Sequence, residues 1–256
     1  MAFPCWQSPV KPLRVRWALL FGIFLGLGLV VRAAAAADAL PEKAYEQAIA
    51  DSLGTDGDRT ADATRHPLQF LRFAQVRPGM RVLDVATGGG YTAQLLALAV
   101  GPGGKVWAQA DHLRPALFQR LEARLQANLI PVEKTYDDPV PEGAHDLDLV
   151  TIVLNYHDIT YLPVDREKMD RRLFEALKSG GHLVLIDHSS KPGQGTSVAK
   201  NLHRIDEATV KEEFKKAGFV LEGESDYLRN PADPRDQPFF KAGLATDKFA
   251  LRFVKP

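Results

Sequence analysis

Arg81-Val-Leu-Asp-Val-Ala-Thr-Gly-Gly-Gly-Tyr-Thr92 decides how the rest of the chain is read. It opens as an apolar, β-branched run, which suits a short buried strand. Three consecutive glycines follow, Gly88, Gly89 and Gly90, and then an apolar helical pattern through Leu95, Leu96, Leu98 and Ala99. Strand, glycine turn and helix form the geometry of a nucleotide-type site at the end of a parallel strand. Glycine permits positive φ and close approach of a ligand to the backbone. The helix start offers free N–H groups.

The spacing alone fits two ligand classes. Gly88, Gly90 and Ala93 satisfy the G-x-G-x-x-G/A dinucleotide pattern. Asp84 lies inside the strand, four residues before the first glycine, where a carboxylate would point up at the strand end. It could accept hydrogen bonds from a cationic or hydroxyl-bearing ligand, but it would repel a pyrophosphate. Val-Leu-Asp-x-x-x-Gly-x-Gly resembles the first motif of the class I S-adenosylmethionine-dependent methyltransferases. The resemblance implies that this loop, with Asp84, Gly88, Gly89 and Gly90, holds the methionine part of the cofactor.

Residues 1–37 read as an export leader. Lys11, Arg14 and Arg16 form a basic start, residues 17–31 an apolar stretch, and residues 33–37 an alanine run suited to cleavage before Asp38. An apolar stretch of about 15 residues is short for a membrane span, which needs about 20. An uncleaved anchor is the alternative, because Arg32 directly follows the apolar run. Cys5, the single cysteine, would leave with the leader, so a mature chain has no disulfide, thiolate nucleophile or cysteine metal site. The leader holds four of the 32 basic residues and none of the 32 acidic ones, so the mature charge is 28 − 32 = −4. That balance disfavours nucleic acid and anionic membrane as partners. The expected location is periplasmic or secreted, with no stable membrane insertion after cleavage.

Residues 38–77 read as a helical preface, with Ala44, Ala48 and Leu53 roughly on one face and a second helix through Leu68, Leu71 and Phe73. Arg59, Asp62, Arg65 and His66 read first as a solvated face of that second segment; the alternative, implied by the methyltransferase resemblance, is a preface that closes over the cofactor or the substrate. Residues 78–256 alternate strands and helices. Residues 105–110 form a second strand, and residues 113–125 a helix with Leu117, Leu121 and Leu125 at i, i+4, i+8. Residues 130–135 form a third strand, and residues 147–154 a central strand covered on both faces. Residues 163–177 form a helix, Gly180-Gly181 stops it, and residues 182–187 form a fifth strand. Residues 189–200 read as a mobile loop over the site, and residues 225–239 as a long connection shaping a substrate pocket. The last strand, residues 246–253, is expected to be antiparallel.

Leu177-Lys-Ser-Gly-Gly-His-Leu-Val-Leu-Ile-Asp187 also resembles the methyltransferase family, and so does Ala217-Gly-Phe219 after its helix. The resemblance covers residues 78–254. It implies a three-layer α/β sandwich with a Rossmann-like, seven-stranded, mostly parallel sheet. It also implies S-adenosylmethionine as cofactor and a small-molecule methyl acceptor as partner. The family's ribose-binding acid falls at Gln109, with Asp111 two residues on. The adenine-contacting acid falls at Asp137 or Asp138. Asn155-Tyr-His-Asp158 ends the central strand, where Asn155 is expected to border the cofactor. His157 and His188 are the candidate general bases, since histidine titrates near neutral pH. No metal is expected, because Asp158, Asp187 and His188 lack a recognisable ligand spacing. The alternatives are an NAD(P)-dependent oxidoreductase and an exported binding protein that keeps the fold without turnover. N-terminal sequencing of the exported protein should read from Asp38. An intact Met1 on a membrane-bound species would refute cleavage.

Overall fold

The computed structural model describes residues 1–2, 40–52, 55–243 and 245–256. The expected leader, Cys5 and Leu53 lie outside the described residues. Seven strands form one sheet: β1 (Arg81–Val85), β2 (Lys105–Ala110), β3 (Leu129–Glu133), β4 (Leu147–Val153), β5 (Leu177–His188), β6 (Val220–Ser225) and β7 (Lys248–Val254). Their order is β3-β2-β1-β4-β5-β7-β6, with β7 antiparallel to both neighbours and the other pairings parallel. The chain therefore winds outward from β1 in one direction, then crosses over and winds outward from β4 in the other. The crevice above the carboxyl ends of β1 and β4 is the switch point where ligands bind in such sheets.

Strand alternation divides the core. Val82 and Leu149 face one side of the sheet, and Leu83 and Val150 the other, so β1 and β4 supply two separate apolar clusters. One cluster takes in Met169 and Leu173 from α7 (Arg166–Ala176) and Val210 and Phe214 from α9 (Glu207–Lys216). The other takes in α4 (Tyr91–Val100), whose residues are buried almost all round. Of the preface helices, α1 (Glu42–Ala50), α2 (Asp56–Arg65) and α3 (Pro67–Phe73), α1 packs on that helix and α3 packs on α1. Tyr45, fully buried on α1, donates from its hydroxyl to the Val76 carbonyl at 2.6 Å and joins the preface to the sheet layer. Leu40–Pro256 is accordingly one compact unit that includes the preface.

Several boundaries differ from the sequence reading. The preface holds three helices, because Pro67 opens a new one after His66 takes a left-handed φ of 50°. Helix α5 (Pro115–Ala123) stops before Leu125, which is exposed; only Leu117 of the expected stripe is fully buried. Helix α7 starts at Arg166, because the Asp165 carboxylate caps it by accepting from the Lys168 N–H. Strand β5 begins at Leu177 and runs through the Gly180-Gly181 pair, because Gly180 and Gly181 bond Lys255 across the sheet. The expected loop over residues 189–200 is tied down: Ser189 N–H donates to Asp247, Ser190 N–H to Ile205, and Gly193 N–H to the Asp206 carboxylate. It runs into the short α8 (Ala199–Leu202).

The three glycines do different work. Gly88 has a φ of 58° and open space where a side chain would start. Gly90 caps α4 at a φ of 82°, and a Cβ there would lie 2.5 Å from Leu117 Cδ1. Gly90 thus lets α5 pack against the loop. Gly90→Ala should destabilise the fold by about 1–3 kcal/mol through combined backbone strain and overpacking. Gly88→Ala should cost only the backbone part, about 1 kcal/mol. Urea denaturation of the two variants checks the order; equal losses would refute the packing role.

Candidate active site

The carboxyl ends of β1 and β4 open onto a cleft with about 670 Å³ of open space. Asp84, Ala86, Thr87, Gly88 and Gly89 line one side, Val153, Leu154 and Asn155 the other. Ala86 and Leu154, each just past its strand, hold left-handed φ values of 55° and 60°. Non-glycine residues rarely adopt that region and pay for it in strain, so two side by side at adjacent strand ends mark a built site. Asn155 braces them: its side-chain amide donates to the Ala86 carbonyl at 2.9 Å and to the Val153 carbonyl at 3.0 Å.

Asp84 is buried within this crevice. Its Oδ1 accepts from the Thr151 hydroxyl at 2.6 Å, across the β1–β4 register. Its Oδ2 is buried and has no hydrogen-bond partner. Burial raises its pKa to about 6, against the opposing pull of the Thr151 and Thr87 hydroxyls and of Arg65. A buried carboxylate with one unmet oxygen is costly without a ligand. That oxygen, in a cleft that Gly88 also lines, fits a cationic group of a bound cofactor.

The preface supplies a wall that the sequence reading assigned to solvent. Arg65, at the end of α2, lines the cleft and stacks its guanidinium over the Tyr91 ring at 5.2 Å. The Tyr91 hydroxyl donates to Asp62. Asp58, buried in the first turn of α2, pairs with Arg120 of α5 at 2.6 Å. Arg120 also donates to Gln94 at 2.7 Å and to the Gly89 carbonyl at 3.2 Å, which fastens the glycine loop to two helices. Helix α2 is polar nearly all round, so periodicity could not show which side faced the protein. The i, i+3 spacing of Asp62 and Arg65 beside a Tyr directly after the glycines was the available signal.

Three expected cofactor contacts are not brought to the cleft. The Gln109 amide is fully buried and committed to backbone: Nε2 donates to the Lys134 carbonyl at 2.6 Å, and Oε1 accepts from the Ala86 N–H at 3.3 Å. Asp111, just past the end of β2, is the acid nearest that strand's end. Asp137 accepts from the Asp165 N–H at 2.7 Å, and Asp138 pairs with Lys134 and Arg172, both at 2.9 Å. These two carboxylates hold the β3–β4 connection to α7.

The two histidines occupy different settings. His188 lines the cleft, its ring stacked on Phe239 at 4.5 Å and its Nδ1 2.8 Å from the Thr246 hydroxyl. Burial, reinforced by Lys248, lowers its pKa well below the usual value, so it is neutral at physiological pH. Phe239 comes from the end of the long connection expected to shape a pocket. His157 stands behind His188, on the short α6 (Tyr156–Ile159), and does not line the cleft. Its Nδ1 lies 2.6 Å from Asp187 Oδ1, and Asp187 also accepts the N–H groups of His157 and His188 at 2.8 Å. Burial alone would lower the His157 pKa; Asp187 and Asp158 outweigh it and raise it to about 10.

The comparisons agree with this geometry. The profile of the protein-L-isoaspartate(D-aspartate) O-methyltransferase family matches residues 25–133. The ubiquinone/menaquinone biosynthesis C-methyltransferase UbiE of Ectopseudomonas mendocina is 30% identical over 125 residues, 48% of this chain and 47% of that protein. The protein of the same name from Bordetella parapertussis is 28% identical over 118 residues, 45% of this chain and 43% of that protein. The chain spans less than half the length of these curated relatives. Among solved structures, an S-adenosylmethionine-dependent methyltransferase from Aquifex aeolicus matches with a TM-score of 0.57 at 17% identity, over 77% of this chain and 93% of that one. A putative methyltransferase solved with the Haloferax volcanii Trm112 activator matches with a TM-score of 0.55 at 19% identity, over 83% and 97%. These structures share the fold.

Asp84→Asn tests the buried carboxylate through stability. The folded pKa of about 6 lies above the ordinary 3.8, so the folded state binds the proton more tightly than the unfolded chain does. Stability is then lost as pH rises from about 4 to about 6, and the penalty persists above that range. The ligand-free variant should gain on the order of 2 kcal/mol above pH 6, and the gain should vanish below about pH 4. Thermal melts across that range check it. A loss of stability at pH 7 would overturn the reading.

Proposed function

We propose that this chain, a member of the class I S-adenosylmethionine-dependent methyltransferases, transfers a methyl group directly to a small-molecule acceptor at the mouth of the β1/β4 cleft. The observation that carries the reading is the unmet Oδ2 of Asp84 in the cleft that Gly88 also lines. The family's cofactor, S-adenosylmethionine, supplies a methyl group already activated on a sulfonium, so the protein's task is alignment. Asp84 would take the cofactor's ammonium end, Gly88 and Gly89 would offer close backbone approach, and Asn155 would keep the two strand ends at fixed separation. An unpaired buried carboxylate repels a pyrophosphate, and this disfavours a nicotinamide cofactor. The comparisons lend the oxidoreductase and binding-protein alternatives no support.

A second opening adjoins the cleft between Arg65, Leu154, His188, Phe239, Thr246 and Lys248. Two cations and a neutral imidazole on its walls suit an anionic or readily deprotonated acceptor. Neutral His188 can receive the proton such an acceptor sheds. The basic, apolar and alanine-rich run of residues 1–37 supports placing this reaction outside the cytoplasm. No helix among the described residues is long and apolar enough to cross a membrane.

Calorimetry should show S-adenosylmethionine and its demethylated product binding with one site per chain, and NAD+ not binding. Comparable NAD+ affinity would overturn the assignment. With acceptors screened by release of the demethylated cofactor, His188→Ala should leave cofactor affinity within a few-fold and lower turnover by about 10²–10⁴. Unchanged turnover would mean that alignment alone suffices.

A further inference from the structure

Behind the cleft wall, three potential metal ligands converge from two short helices. His157 and Asp158 are consecutive on α6, and His203 follows α8 in a left-handed conformation with a φ of 51°. His157 Nε2 lies 3.1 Å from Asp158 Oδ1, and His203 Nδ1 lies 2.8 Å from the same oxygen. All three donor atoms fall within 4.8 Å of one another. The His157 side chain is 1% exposed. Despite the 3.1 Å approach, its Nε2 has no hydrogen-bond partner. A buried ring nitrogen left unmet within 4.8 Å of two further donors calls for something between them.

We propose that His157, Asp158 and His203 bind a divalent transition-metal ion of the zinc type beside the methyl-transfer cleft. Two donors each about 2.1 Å from a shared ion lie about 2.9–3.4 Å apart, so the two separations to Asp158 need only tenths of an ångström of adjustment, and the two imidazoles, within 4.8 Å, would draw in around the ion. Two imidazoles and one carboxylate suit zinc and its first-row neighbours, and they exclude magnesium and calcium, which take oxygen ligands. The surroundings complete the pattern. Asp187 holds His157 Nδ1, so the proton an incoming ion displaces is the one on Nε2, as with a carboxylate behind a ligating histidine. Asp158 and Asp187 together balance one dication. The Asp158 and His203 side chains are 39% and 26% exposed, so the ion would keep an open position toward solvent for an oxygen ligand. Phe239 packs its ring against His157, His188 and His203, which sets this position directly behind the cleft wall.

The test uses the purified chain stripped with a chelator and dialysed. Zinc titrated by calorimetry should bind one ion per chain with Kd below about 1 μM. Cobalt should give the visible absorption of a four- or five-coordinate ion. His203→Ala and the near-isosteric Asp158→Asn, each checked for native circular dichroism, should weaken binding by about 100-fold or more. Asp187→Asn should weaken it by about 10–100-fold. His112→Ala, which alters an exposed histidine, should leave binding unchanged. Zinc bound no tighter than about 100 μM, or bound equally by wild type and His203→Ala, would overturn the site. Binding of demethylated cofactor, measured on the same samples, should be unaffected by His203→Ala; this separates failure of the metal site from failure of the methyltransferase reading.

Discussion

Asp84 and Thr151 are register partners on the two innermost strands, and their 2.6 Å hydrogen bond closes the floor of the crevice. Everything ligand-facing is arranged around this pair. The carboxylate must sit at the end of β1 to be reached from outside, and there it is surrounded by apolar strand residues that cannot solvate it. One oxygen is satisfied from β4. The other is left for whatever enters. The strained Ala86 and Leu154 turns, the Asn155 brace and the Arg120 clamp keep the opening in shape while that oxygen waits. The fold tolerates a destabilising charge at its centre because two apolar clusters on either side of the sheet, built from some of its largest buried side chains, outweigh it.

The sheet and the glycine loop were legible in the sequence because their signals are local. A β-branched run and consecutive glycines dictate backbone conformation whatever lies nearby, and the antiparallel last strand came with the family resemblance. Side-chain roles were less legible. Gln109, Asp137 and Asp138 stand where the family carries cofactor contacts, yet each is engaged by groups 20 or more residues away: Lys134 and Ala86, Asp165, and Arg172. No spacing rule reports such partners. Helix α2 failed for the opposite reason. Its composition is so polar that it offers no periodic face, and only its packing turns Asp58 inward and Arg65 toward the cleft.

The histidines illustrate how three-dimensional context separates residues that sequence treats alike. His157 follows the end of β4 and His188 is the last residue of β5, and their rings are 5.8 Å apart. One lies between two carboxylates and is held charged in the ion-free protein; the other faces Lys248 and is held neutral. Asp187 links them by accepting both backbone N–H groups, so the cleft wall and the cluster behind it are mechanically one unit.

The position of β7 has a consequence for how such a chain is made. Its seven residues follow β6 in the chain, yet they lie between β5 and β6 and supply pairing to both. Until β7 is in place, the chain presents two unpaired strand edges, one of them carrying the exposed Val220 and Leu221. Insertion of a later strand between two earlier ones makes sheet closure wait on β7. Factors that recognise open strand edges would therefore distinguish the closed sheet from the open one without reading the active site at all.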